Sequence, residues 1–123
     1  MIQTVENTKT LVERFDKDVK GALNALLIIG IIVKEKRVWS YQIKKALKNI
    51  YQDDDIISNS SLYSLLGRLE NDYKIITSEK DEYDQRRYFK ATDRCKEEFE
   101  ESKRYWLNIM NKAERALKIL EED

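Results

Sequence analysis

Asn59, Ser60, Ser61, Tyr63, Ser64 and Arg68 stand within one short stretch, ISNSSLYSLLGRLENDYKI (Ile57 to Ile75), interleaved with Leu62, Leu65, Leu66 and Leu69. None of these polar side chains has a base beside it to make it a nucleophile, and the chain has no histidine at all. Their chemistry is hydrogen bonding and charge: Ser and Asn bond phosphates or base edges, and Arg pairs in bidentate fashion with guanine. The leucines recur at helical spacing, so they turn inward and leave the polar residues outward or at the N-terminal end. Small Ser64 and Gly67 allow another surface to come close. An ordinary solvated helix face has the same composition, so the flanking elements matter.

Those elements follow from spacing. There is no proline and only three glycines, so helices are expected wherever apolar residues recur suitably. Val12, Phe15, Val19, Ala22, Leu26, Ile29 and Val33 form one stripe, predicting helix from about Thr4 to Glu35. Tyr41, Ile43, Ala46, Leu47 and Ile50 predict a short second helix with Ser40 as its N-cap, and Ser58 is placed to cap the third. Ile75 to Lys80 and Arg87 to Ala91 are rich in Ile, Thr, Tyr and Phe around a polar run, which predicts a β-hairpin. Thr92 is placed to cap a last helix, with Asp93 favourable to the helix dipole. The expected class is mainly α with a small β-hairpin. The expected division is an N-terminal helical extension (1–18), a central domain (19–91) and a C-terminal helix (92–123).

Composition removes several functions. With 123 residues the chain fits one domain, and a lone Cys95 makes no intrachain disulfide. The apolar run Ala22 to Val33 is too short to span a bilayer, and no signal peptide is legible at the N-terminus. A reducing cytoplasmic setting with no membrane partner is expected. Catalysis has no nucleophile with a base, no phosphate loop and no metal-ligand spacing, so no enzyme, cofactor or metal is expected. The run Asp53 to Asp55 reads as a solvated loop. Net charge is zero, with 23 basic and 23 acidic residues, but Lys34 to Ile50 carries six bases and one acid. Such a patch suits an anionic partner, with Lys44 the residue expected to reach it.

Three helices, a two-stranded wing and a long trailing helix make the order of a winged helix-turn-helix, whose third helix enters the DNA major groove. At the level of residues the chain resembles the PadR family of transcriptional regulators. The resemblance rests on LLIIGII (Leu26 to Ile32), VWSYQI (Val38 to Ile43), the Ile57 to Ile75 stretch and RRYFKATD (Arg86 to Asp93). It covers roughly Val19 to Asp93. The resemblance implies a homodimeric repressor on double-stranded DNA, with Ser60, Ser61, Tyr63 and Arg68 on the recognition helix and Arg86, Arg87 and Tyr88 on the wing. Asn59 and Ser64 stand where the family commonly has proline, and Trp39 and Ser40 replace its histidine-glycine pair. Glu79, Asp81, Glu82 and Asp84 make the wing tip acidic, so the tip is expected to point away from phosphates.

The last helix carries Phe99, Ser102, Trp106, Ile109, Ala113, Ala116 and Leu120 at three- and four-residue steps, with Leu117 beside them. Thr92 to Leu120 would run roughly 40 Å, longer than so small a core can cover. A second copy is its expected partner, through Phe99, Trp106, Ile109, Ala113, Leu117 and Leu120, with Phe15 of the extension joining the interface. Some regulators of the family line an inter-subunit cavity with an aromatic from this helix. Trp106 is therefore the residue to receive a small hydrophobic effector, although a tryptophan at this spacing also reads as core. The contrasting function is a winged-helix protein–protein interaction module without specific DNA binding, which the neutral charge permits.

Overall fold

In the computed structural model, which describes residues 8–52 and 57–122, four helices and a three-stranded antiparallel sheet surround one apolar core. The part of the extension before Thr8 and the run Asp53 to Asp55 lie outside the described residues. The first helix, α1 (Leu11–Glu35), starts where the Thr10 side chain accepts the Glu13 backbone N–H at 3.1 Å. It runs unbroken past position 18. Its first half is exposed, whereas Ile28, Ile29, Ile31 and Ile32 are buried, so only the second half lies within the core.

After β1 (Val38–Trp39) comes α2 (Ser40–Tyr51). Trp39, not Ser40, occupies the N-cap position, and Gln42 Oε1 accepts the Trp39 backbone N–H at 3.1 Å. Ser40 is thereby the first helical residue and its hydroxyl is released for another partner. Asn24, the polar break in the apolar run, is buried and accepts the Tyr51 hydroxyl at 2.9 Å, tying α1 to the end of α2. Burial pushes the Tyr51 phenol up from its ordinary value, and nearby Lys20 opposes the shift.

Helix α3 (Asn59–Asn71) is capped by Ser58, whose side chain accepts the Ser61 N–H at 3.1 Å. Leu62, Leu65, Leu66 and Leu69 are buried, as their spacing predicts. Strands β2 (Ile76–Lys80) and β3 (Arg87–Ala91) form the wing, with Ser78 opposite Phe89 and Lys80 opposite Arg87. The expected two-stranded hairpin is a three-stranded sheet of order β1-β3-β2, because Val38 and Trp39 pair with Phe89 and Tyr88. Two residues are too few to show a strand period in sequence.

Helix α4 (Asp93–Glu121) follows Thr92, which sits at the N-cap position without making a side-chain cap bond. Its hydroxyl donates instead to the Ile75 carbonyl at 2.9 Å, fixing the root of the helix to the base of β2. Cys95 is fully buried there, and burial, aided by the Glu98 charge, pushes its thiol up from the ordinary value. Further along, the Phe99 ring lies against Gly30: a Cβ at Gly30 would stand 2.7 Å from the ring. That close approach brings α4 down onto α1. No helix among the described residues is long and apolar enough to cross a membrane.

Candidate nucleic-acid interface

Helix α3 has one face committed to the core and the opposite face open. At ~100° per residue, Ser60, Ser64, Gly67 and Asn71 align opposite the four buried leucines, flanked by Tyr63 on one side and Arg68 on the other. Ser60, Tyr63, Ser64, Arg68 and Asn71 are exposed. A Cβ added at Gly67 would meet nothing within 4 Å, so packing within the chain does not require glycine there. The stripe is built of short side chains, which lets the helix backbone approach a flat or grooved surface closely. Asn71 belongs to this stripe and was not among the residues expected to touch DNA; the seven-residue step from Ser64 is the signal that finds it.

The flanking side chains are held in place. The Tyr63 and Ser40 hydroxyls meet at 3.0 Å, Lys44 Nζ donates to Asn59 Oδ1 at 2.8 Å, and Arg68 Nη1 donates to Ser64 Oγ at 3.2 Å. Ser58 Oγ contacts both Ser60 Oγ at 3.3 Å and Ser61 Oγ at 2.9 Å, so Ser61 is largely engaged in the cap.

Between α2 and the start of α3 runs a groove lined by Tyr41, Lys44, Lys45, Lys48, Asn49 and Tyr63 among others, with no carboxylate among the described residues of its lining. Tyr41, Lys44, Lys45 and Lys48 recur at steps of three, one and three residues, a single helical stripe. The positive patch legible in the sequence is therefore gathered on one face beside α3. Reasoning from sequence singled out Lys44 alone, although the same period would have added Tyr41, Lys45 and Lys48.

The wing is organised by its acids. Asp81 Oδ1 accepts the backbone N–H groups of Tyr83 (2.8 Å) and Asp84 (3.3 Å), and its Oδ2 accepts Arg37 Nη2 at 2.6 Å. Those backbone donors, and after them Arg37, hold the Asp81 carboxyl below the usual carboxylate range. Asp84 accepts the Arg86 N–H at 2.9 Å and the Tyr88 hydroxyl at 2.7 Å. Tyr88, which the resemblance places on the DNA side, is buried, with the Arg37 guanidinium 3.5 Å from its ring centroid. Its role here is to build the wing. Arg86 remains half-exposed over the Trp39 ring at 4.2 Å. Arg87 is exposed and donates to Ser78 Oγ at 3.1 Å, and Ser78 in turn bonds the Glu70 carboxylate, which ties the end of α3 to the wing. Two acidic tip residues are thus occupied in turn formation and ion pairing, which reduces the field they present outward.

A second surface is apolar. Beyond Phe99 and the half-buried Trp106, helix α4 carries exposed Leu107, Ile109, Met110, Ala113, Leu117, Ile119 and Leu120. Leu11, Val12, Phe15 and Val19 on α1 are exposed as well. Phe99 itself packs on the core, so the uncovered part of the seam begins after it.

Residues 28–101 match the model of the transcriptional regulator PadR-like family. Three solved structures agree in fold. One is a PadR family transcriptional regulator from Eggerthella lenta, with 21% identity, coverage of 92% of this chain and 95% of that one, and a TM-score of 0.74. Another is a PadR-like transcriptional regulator from Bacillus cereus, with 24% identity, coverage of 87% and 99%, and a TM-score of 0.64. The third is a PadR-like transcription factor from Bacteroides fragilis, with 25% identity, coverage of 81% and 94%, and a TM-score of 0.63. Among curated protein sequences there is no match.

Proposed function

We propose, from the premise that this chain belongs to the PadR-like family of transcriptional regulators, that it is a homodimeric repressor which reads a pseudo-palindromic operator through α3. Regulators of this family are not enzymes, and neither is this chain. In the proposed complex, α3 lies in the major groove, with Ser60, Ser64 and Gly67 against the base edges and Tyr63 and Arg68 at their sides. Lys44, Lys45 and Lys48 face the phosphates, and Arg86 and Arg87 of the wing reach the backbone or minor groove. The observation that carries this reading is the open stripe of short polar residues on α3 beside a groove lined with Lys44, Lys45 and Lys48.

Dimerisation is supported by the exposed apolar residues of α4 beyond Phe99 and by Phe15 on α1, which stay uncovered among the described residues. Covering them with a second copy would remove apolar area from water at ~25 cal/mol per Å². It would also place two recognition helices about a twofold axis, which is what a palindrome requires. A small hydrophobic effector would enter beside Trp106, on the same seam.

Fluorescence anisotropy against DNA from upstream of the protein's own gene tests the reading. Selective, salt-sensitive binding lost in Tyr63→Ala and Arg68→Ala is expected. Dimer retained without selective DNA binding would favour the interaction module, for which the carboxylate-bound Arg37 and Arg86 are the supporting observation.

A further inference from the structure

On the side of α3 away from the lysine groove of α2, a second groove separates α3 from α1. Lys17, Lys20 and Gly21 of α1 line one wall, and Ser58, Ser61 and Arg68 line the other. Three of these side chains are cationic, and among the described residues Asp16 is the one carboxylate in the lining, paired with Lys20 at 3.4 Å. Gly21 lies in mid-helix, where glycine is less favourable than alanine, yet an added Cβ would touch nothing within 4 Å. Packing within the chain does not ask for glycine there; its effect is to leave the groove open. At ~100° per residue, Lys17 and Lys20 project from the opposite side of α1 to Leu11, Phe15 and Val19. Covering the apolar stripe therefore leaves the basic groove free.

We infer that this groove is a second site for a DNA backbone phosphate, with Lys17, Lys20 and Arg68 taking one strand while Lys44, Lys45 and Lys48 take the other. The inference rests on the DNA-reading proposal above and deepens it. A helix ~10–12 Å across fills a major groove ~12 Å wide, so the two phosphate rows come to lie on its two flanks. Basic grooves on both flanks of α3 match that arrangement. Both lysines of α1 precede residues 28–101, the part of the chain that matches the family model, so the N-terminal half of α1 acquires a role besides its apolar stripe. Asp16 limits the site: Lys20 is partly neutralised by it in the free protein, and a phosphate competes for the same ammonium.

The test is the salt dependence of duplex binding by the full chain, measured by anisotropy over a series of salt concentrations. Lys17→Gln and Lys20→Gln are each expected to lower the slope of log K against log salt by ~0.9, the value of one phosphate contact. Asp16→Asn is expected to tighten binding, and Lys112→Gln, far along α4, to leave the slope unchanged. Wild-type binding with the same slope in both α1 variants would overturn the second site alone. A wild type without salt-dependent duplex binding would overturn the DNA-reading proposal and this site together.

Discussion

The Tyr63 hydroxyl meets the Ser40 hydroxyl at 3.0 Å, linking the exposed flank of α3 to the first residue of α2. The link exists because Trp39 occupies the N-cap position, leaving the Ser40 side chain available. It fixes the direction of an aromatic ring that borders the lysine groove.

Tyr63→Phe keeps the ring and removes the bond. A neutral hydrogen bond of this kind contributes about 0.5–1.5 kcal/mol to stability, so the thermal midpoint is expected to fall by a few degrees. Operator affinity is expected to fall as well, because the ring is no longer held in place. Tyr63→Ala should lose more. Anisotropy and calorimetry on the same samples separate the two effects; equal affinity in wild type and Tyr63→Phe would mean that the hydroxyl does not orient the ring for binding.

Gly67 separates stability from recognition. Since an added Cβ meets open space, Gly67→Ala should stabilise the fold by about 0.5–1 kcal/mol in urea denaturation through helix propensity. Gly67→Leu should fold equally well and lose selective DNA binding, because the side chain would stand between α3 and the bases. Unimpaired binding by Gly67→Leu would place the contact surface elsewhere.

Gly30 answers differently. The Phe99 ring occupies the space of its missing side chain, so Gly30→Val should cost about 1–3 kcal/mol by overpacking. Phe99→Leu in the same chain should return part of that loss. Because Phe99 roots α4, sedimentation of the single variant is expected to show a weakened dimer as well; an unchanged melting curve would contradict the close packing of α1 on α4.

The wing should be sensitive to acid. The folded Asp81 carboxyl is held below the usual range by the Tyr83 and Asp84 N–H groups and by Arg37, so it adds stability above the ordinary carboxylate pKa of ~3.9 and that contribution disappears as pH falls through the lower folded value. In a Trp106→Phe background, Trp39 emission reports the wing, since Arg86 stacks on that ring. Emission is expected to hold steady from neutral pH to about 5 and to change below about 4. Asp81→Asn should flatten that change; an identical acid response in the variant would assign it to another carboxylate.

Regular elements were legible because their signals are local. The leucines of α3 repeat every three or four residues over a full helix, and Ser58 stands directly before them, so both the buried face and the cap follow from spacing. The two wing strands announce themselves through β-branched and aromatic residues. Strand β1 did not, because Val38 and Trp39 become a strand only by pairing with Phe89 and Tyr88, fifty residues on. Ser40 is not the cap of α2, and Thr92 holds the N-cap position of α4 without a side-chain cap bond, for a related reason: a hydroxyl takes whichever partner folding brings near, here Tyr63 and the Ile75 carbonyl.

The sequence by itself determined the order of elements, the polar face of α3, the positive charge of α2 and the unmatched length of α4, all of which depend on residue types at short spacing. Tertiary structure alone decided what becomes of each charged and aromatic side chain. It buried Tyr88 beneath Arg37, bound the acidic wing tip into a turn, and set the lysines of α1 and α2 on opposite flanks of one helix. The physical reason is that a helical period is a property of neighbouring residues, whereas burial, ion pairing and the walls of a groove are properties of segments far apart in the chain.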